Sequence, residues 1–311
     1  MGAYHVTIFG IHLTLNPVAF TLPIAGGWSI YWYGIIIAAG FLGALIYAMK
    51  TAPRFGINTD RMLDVVLITT PLAILSARAY YIIFDPDEKF RDFFNFNSSG
   101  FQGLAIYGGV IAAFAVGAVM CKLRRVNILD MFDVAAVGFL IGQGVGRWGN
   151  FINQEAFGGP TGSSWWGMMS ENTNGVMVHP CFLYESVWCI AGAVILNRFS
   201  KKRKFSGEIT LLYGVWYGFG RGWIEIPRSD SLYAGVFKVS CVLSFVLCIA
   251  CAAALVIILR RKRETAAAGE YVSVFENAEQ SSEPDKEPAD NEETENEAQS
   301  KIKEDENGKA D

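Results

Sequence analysis

Seven apolar runs, each long or nearly long enough to cross a lipid bilayer, constrain this chain more than any other feature. They fall at residues 28–49, 62–84, 104–121, 131–146, 182–199, 208–224 and 236–259, against the roughly 20 residues a helix needs to span the hydrocarbon core. Lipid offers no water to satisfy backbone N–H and C=O groups, so runs of this length must be helices. The expected fold is an all-α polytopic membrane protein with about seven transmembrane helices. The fourth run, at 16 residues, is short. It is expected to tilt little, to thin the bilayer or to lie buried among other helices. Composition agrees, because 52% hydrophobic and 18% charged residues with a mean hydropathy of +0.28 fall outside the range of an ordinary soluble domain.

The net charge of −4 hides an uneven distribution. Residues 264–311 hold sixteen Asp and Glu against four Lys, which leaves the remainder basic. Lys50, Arg54 and Arg61 follow the first run, Lys122, Arg124 and Arg125 the third, Arg198 and residues 201–204 the fifth, and residues 260–263 the seventh. Every odd-numbered exit is basic, so the positive-inside rule predicts an outer N-terminus and a cytoplasmic C-terminus. The clusters read as topology determinants, and nucleic acid is not an expected partner. The predicted organisation is a small extracytoplasmic arm (residues 1–27), a membrane domain (28–263) with outer head loops near 85–103 and 147–181, and an acidic cytoplasmic tail (264–311). That tail has too few apolar residues to offset the entropy of ordering, and is expected to be disordered and dispensable to chemistry. Residues 1–27 lack a basic n-region and a compact apolar stretch ending at a cleavage site, so no cleaved signal peptide is expected. Asn16-Pro17 and Leu22-Pro23 break any long helix there.

Glycines recur every fourth residue at Gly138, Gly142 and Gly146 and again at Gly214, Gly218 and Gly222. Each ladder lies near one helix face and lets a neighbouring helix approach closely. Directly after the first ladder comes the stretch Gly146 to Glu155, with Arg147, Asn150, Asn153 and Glu155. An unpaired guanidinium sinking into lipid costs roughly 2.5 to 3.5 kcal/mol on insertion scales, which marks Arg147 as functional. On the sixth run Tyr213, Tyr217, Arg221 and Glu225 recur every four residues, and Arg228 follows Pro227, where the helix should end or kink. Two arginine forks, Arg147 and Arg221, match phosphate oxygens and could bracket a phospholipid headgroup. Glu185 begins the fifth run beside Tyr184 and after His179, and needs a basic partner from another helix. Tyr33, Tyr107 and Tyr184 each suit an interfacial aromatic belt as well as a site.

Six cysteines show neither CxxC spacing nor a disulfide framework and read as small buried hydrophobes, apart from Cys181, which lies beside His179 and could be reactive. Three scattered histidines and no acid-rich cluster suggest no metal, and no cofactor motif is present. A secondary transporter would also bury charge among glycine-rich helices, but no internal repeat of the hydropathy pattern occurs and the charges gather at one end. A scaffold protein would explain the acidic tail and leave the intramembrane arginines unexplained.

These residues together resemble the prolipoprotein diacylglyceryl transferases of bacterial plasma membranes. The likeness runs through Trp32-Tyr33-Gly34, Tyr107-Gly108-Gly109, Gly146 to Glu155, His179-Pro180 with Tyr184-Glu185, and Tyr217-Gly218 with Arg221, Glu225 and Arg228. It covers nearly the whole chain up to the seventh run and leaves the acidic tail outside. It implies that phosphatidylglycerol donates its diacylglyceryl group to the thiol of the lipobox cysteine in a prolipoprotein signal peptide, giving a thioether and releasing glycerol phosphate. By resemblance Arg147 binds the lipid phosphate, with Asn150, Asn153, Glu155, Tyr33, His179, Glu185 and Arg228 as further substrate-binding residues. Catalysis would fall to Arg221, Tyr217, Glu225 and Tyr107. Many members carry His-Gly-Gly where this chain has Tyr107-Gly108-Gly109, and a phenol with a pKa near 10 cannot simply replace an imidazole base. Tyr107 is therefore expected to orient the headgroup while Arg221, Tyr217 and Glu225 manage the thiol.

Overall fold

The computed structural model describes residues 3–23, 27–84, 93, 103–228, 233–234 and 237–267. Residues 268–311 of the acidic tail and nearly all of the loop expected at 85–103 lie outside these residues, while the first four tail residues, 264–267, are helical and continue the seventh helix. Seven helices form the body: α1 (Trp32–Thr51), α2 (Thr59–Phe84), α3 (Ile106–Leu123), α4 (Ile128–Asn153), α5 (Cys181–Ser200), α6 (Glu208–Ile224) and α7 (Val239–Ala267). All but α6 are long and apolar enough to cross a membrane. The side chains they leave exposed are those lipid accepts, such as Leu67 on α2, Ile111 on α3 and Ile249 on α7.

The expected fourth span is corrected by the structure. It does not stop at Gly146 but runs on through Arg147, Asn150 and Asn153, giving a helix of 26 residues. The amides and the arginine that resemble a loop in sequence face protein partners, so the helix continues at a depth where a lipid-facing polar residue would end it. Its last turn closes on Gln154, a buried residue with a left-handed φ of 53°, whose side chain donates to the Phe151 carbonyl. Asn127 caps the other end by accepting from the Leu129 and Asp130 amides.

α4 is the central post. The first glycine ladder lies on α1, where a Cβ on Gly138 would sit 3.6 Å from that of Ala44 and one on Gly146 would sit 3.1 Å from Ile37. The second ladder brings α6 against α7, with Cys251 over Gly214 and Ser244 and Cys248 over Gly218. α5 meets α6 through Trp188 and Trp216, whose rings stack at 4.4 Å and whose indole N–H groups each donate to the other's backbone carbonyl at 3.0 Å. Gly192 and Gly220 admit those rings, since a Cβ at either would fall 2.3 Å or less from an indole nitrogen. This lock sets the antiparallel register of α5 on α6.

The N-terminal arm is strand, not a frayed end. β1 (Tyr4–Ile8) pairs with β2 (Ile11–Leu15) and with β5 (Met168–Met169), while β3 (Val18–Leu22) pairs with β4 (Trp28–Tyr31). β6 (Tyr233–Ala234) and β7 (Phe237–Lys238) form a last hairpin before α7. Val6, Met168 and Val178 join Phe151 and Phe182 in a small core that seats this head on the ends of α4 and α5. Cys181, which its place beside His179 suggested could be reactive, begins α5 and is 1% exposed.

Candidate active site

The register of the helices decides which polar groups meet. α4 and α5 run antiparallel, held where the Ser186 hydroxyl donates to the Gly144 carbonyl at 2.8 Å and the Trp148 indole donates to Ser186 at 3.1 Å. That contact places Arg147 beside Glu185, with Nε 2.9 Å from Oε2. The tryptophan lock then places Arg221 on the other oxygen of the same carboxylate, Nη1 to Oε1 at 3.1 Å. Arg221 reaches one turn on with Nη2 2.9 Å from Glu225 Oε2, and Arg228 Nε stands 3.8 Å from that atom. Five side chains from three segments thus form one chain of alternating charge, Arg147, Glu185, Arg221, Glu225 and Arg228.

Both carboxylates are buried, as is required if their charges are to be held by guanidinium and not by water. The basic partner that Glu185 needs is present twice over. Three guanidiniums face two carboxylates, so the chain keeps a surplus of one positive charge. The simple alternative, in which Arg221 pairs only with Glu225 and Arg147 only reaches for the interface, does not describe this geometry.

Around Arg147 the amides form a rim. Asn150 Oδ1 lies 3.4 Å from Arg147 Nη1, and Asn150 Nδ2 donates to Glu155 Oε1 at 2.9 Å, with Asn153 Nδ2 3.5 Å from the same oxygen. The Tyr33 ring covers Gly149, where a Cβ would sit 2.7 Å from it, and feels the charges of Glu155 and Arg147. Tyr217 stacks on Tyr213 at 5.5 Å and lies within electrostatic reach of Glu185, Arg221 and Arg147. Two expected site residues stand apart from this chain. His179 Nδ1 pairs with the Tyr184 hydroxyl at 3.2 Å, and the hydroxyl of Tyr107, second residue of α3 and 61% exposed, makes no hydrogen bond to a described residue.

Arg147 and Asn150 also line a cavity of about 700 Å³ between α1, α2, α3 and α4, together with Tyr33 and Gln143. Below them the wall is apolar, apart from Thr69 and Thr70, down to Met131 and Phe132. From Asn150 to Met131 along α4 is roughly 28 Å at 1.5 Å per residue, close to the thickness of a bilayer's hydrocarbon core. Gln143, which donates to the Tyr213 hydroxyl at 3.1 Å, was not singled out in sequence, although it lies one turn before Arg147 on the same helix. Arg78 on α2 was missed as well. It is 4% exposed, donates to the Gly103 carbonyl at 3.2 Å and holds the start of α3 beside the cavity. An arginine inside an apolar run was the signal for it.

A helical membrane protein that holds surplus guanidinium charge at the polar mouth of an apolar, bilayer-deep cavity is a protein built for an anionic lipid. Residues 17–258 match the family model for prolipoprotein diacylglyceryl transferase. The chain belongs to that family. It is 39% identical over 235 residues to the phosphatidylglycerol–prolipoprotein diacylglyceryl transferase of Clostridioides difficile, covering 75% of this chain and 91% of that one. Similar likenesses hold for the enzymes of the same name from Finegoldia magna, 39% identical over 76% of this chain and 93% of the relative, and Oceanobacillus iheyensis, 41% over 67% and 76%.

Proposed function

We propose that this protein transfers the diacylglyceryl group of phosphatidylglycerol to the lipobox cysteine thiol of prolipoproteins at the bacterial plasma membrane, the first step of lipoprotein maturation. The observation that carries the reading is the positively charged mouth of the apolar cavity. The cavity takes acyl chains along α4, and the Arg147 and Asn150 rim takes the phosphate. By the positive-inside rule this mouth faces outward, where secreted substrates arrive.

The reaction is a displacement at a saturated carbon. The cysteine sulfur forms a bond to the glyceryl carbon as the bond from that carbon to the phosphate oxygen breaks, and the leaving oxygen takes the electron pair. The thiol proton is balanced by the new acidic oxygen of glycerol phosphate. Negative charge therefore grows on the departing phosphate, and preoriented guanidiniums stabilise such charge most where water is excluded. Glu185 and Glu225 hold Arg147 and Arg221 in place before substrate binds, so little reorganisation remains for the reacting state. A free cysteine has a pKa near 8.5, and Arg221 beside Tyr217 favours its thiolate form. Tyr107 serves orientation of the headgroup, and Asn153, Glu155, Tyr33, His179 and Arg228 complete the substrate contacts.

The test is incubation of the purified protein with phosphatidylglycerol and a lipobox peptide, followed by peptide mass. A gain of one diacylglyceryl group that disappears in Arg147→Ala is expected. No gain from well-folded protein would overturn the reading. Tyr107→Phe is expected to weaken lipid use; loss of turnover with lipid binding intact would instead give Tyr107 a proton-transfer role.

A further inference from the structure

The chain of charge depends on a turn that its own groups hold only in part, through the Arg228 amide donating to the Glu225 carbonyl at 3.2 Å and the Arg228 guanidinium 3.8 Å from the Glu225 carboxylate. α6 ends at Ile224, three residues before Pro227, and residues 225–228 then carry Glu225 and Arg228. The last carbonyls of a helix have no partner within it. Here the Lys238 ammonium, at the end of β7, donates to the carbonyls of Glu225 at 2.9 Å, Ile226 at 3.0 Å and Arg228 at 2.6 Å. An ammonium has three protons, enough to serve all three carbonyls. The other side of the turn is tied to the head, where the Gly159 amide donates to the Pro227 carbonyl at 2.7 Å and Gly158 bridges to Arg228.

We infer that Lys238 is a positioning residue for diacylglyceryl transfer. By gathering three carbonyls on one cation it fixes the angle at which Glu225 meets Arg221 and Arg228, and it acts through them without touching substrate. A lysine suits the task, being a compact charge with rotatable donors at the negative end of a helix dipole. The inference rests on the transferase reading of the site.

The experiment compares full-length wild type, Lys238→Met and Lys238→Arg in detergent micelles containing phosphatidylglycerol and a lipobox peptide. A misplacement near 1 Å is enough for a large rate loss, so Lys238→Met should lower kcat by about 30-fold or more. KM for phosphatidylglycerol should stay within about threefold, the mark of an interaction that matters in the transition state. Lys238→Arg should recover most of the rate. Rates are expressed per folded molecule, judged by gel filtration and melting, because a merely structural role would reduce the folded fraction and leave kcat untouched. Hydrogen exchange provides a readout independent of activity: the amides of Glu225, Ile226 and Arg228 should exchange faster in Lys238→Met and not in Lys238→Arg. Unchanged kcat in Lys238→Met overturns the inference, as does a rate loss without faster exchange. If wild type itself transfers nothing, the transferase reading has failed. Exchange then decides alone whether Lys238 holds the turn, and unaltered exchange overturns that too.

Discussion

At the basic end of the bundle one guanidinium meets two carboxylates; at the other end three guanidiniums meet two. Arg203, in the α5–α6 connection and 3% exposed, has Nη1 2.6 Å from Asp130 and 3.1 Å from Asp133, and its guanidinium lies 4.3 Å over the Phe55 ring. Asp133 also accepts from the Gly207 amide, the Thr210 amide and the Thr210 hydroxyl, all within 2.9 Å. It thereby caps α6 from a different helix, and the surplus negative charge sits where a helix N-terminus wants it. That arrangement is closed. At the other end the five side chains sum to one positive charge, and the Arg147 end of that chain lines the cavity. Burial and pairing are common to both ends, so neither marks function; the sign of the surplus and what it faces separate a clasp from a site.

The largest effect should come from breaking both ends in parallel. Asp133→Ala leaves Arg203 with a single carboxylate and strips the first amides of α6, so a loss of about 3–5 kcal/mol is expected, read as a fall in the melting temperature in detergent. Arg221→Ala should behave oppositely. Glu185 keeps Arg147 and Glu225 keeps Arg228, so folding survives, while transfer to the lipobox peptide falls by about 10²–10³. If Arg221→Ala melts as early as Asp133→Ala, the distinction between clasp and site collapses.

A sharper and smaller test alters the surplus itself. Glu185→Gln keeps the shape and removes one negative charge, raising the surplus from one to two. The expected result is a lower KM for phosphatidylglycerol together with a kcat about 10-fold lower, because the two arginines lose the carboxylate that orients them. A raised KM would show that the lipid phosphate is not held by surplus charge.

The two ends were not equally legible in the sequence. Intramembrane charges at helical spacing pointed to Arg147, Arg221 and Glu225, and the glycine ladders pointed to close helix contacts that the structure places on α1 and α7. Arg203 was hidden because it sits within residues 201–204, where it counts as one more topological charge, and its carboxylate partners lie 70 and 73 residues away. The length of α4 was hidden for a related reason: Asn150 and Asn153 end a helix facing lipid but not one facing protein. The β1–β2 hairpin had a signal in the alternation of Tyr4-His5-Val6-Thr7-Ile8 before Phe9-Gly10, both of which adopt positive φ, 49° and 81°. That is the geometry of a tight turn matched to strand twist. Asn16-Pro17 and Leu22-Pro23 exclude a long helix there, which short strands satisfy.

The smallest expected effect concerns how the head is fastened above the site. The His5 amide donates to both oxygens of the Glu171 carboxylate at 3.0 Å, and this bond holds the Glu171 carboxyl below its usual range. A carboxyl depressed on folding contributes stability above its unfolded pKa of about 4.3 and loses it as pH falls through the lower folded value. Wild type should therefore melt slightly above Glu171→Gln between pH 5 and 8, and the two curves should converge as the pH drops well below about 4. The difference should be modest because the pair is exposed to water. Convergence with transfer at neutral pH nearly equal in both proteins would make Glu171 a fastening of β1 with no part in the arginine chain. A gap in melting temperature that persists in acid would mean that the side chain holds β1 by shape and not by charge, and would remove the last electrostatic contribution assigned to the head.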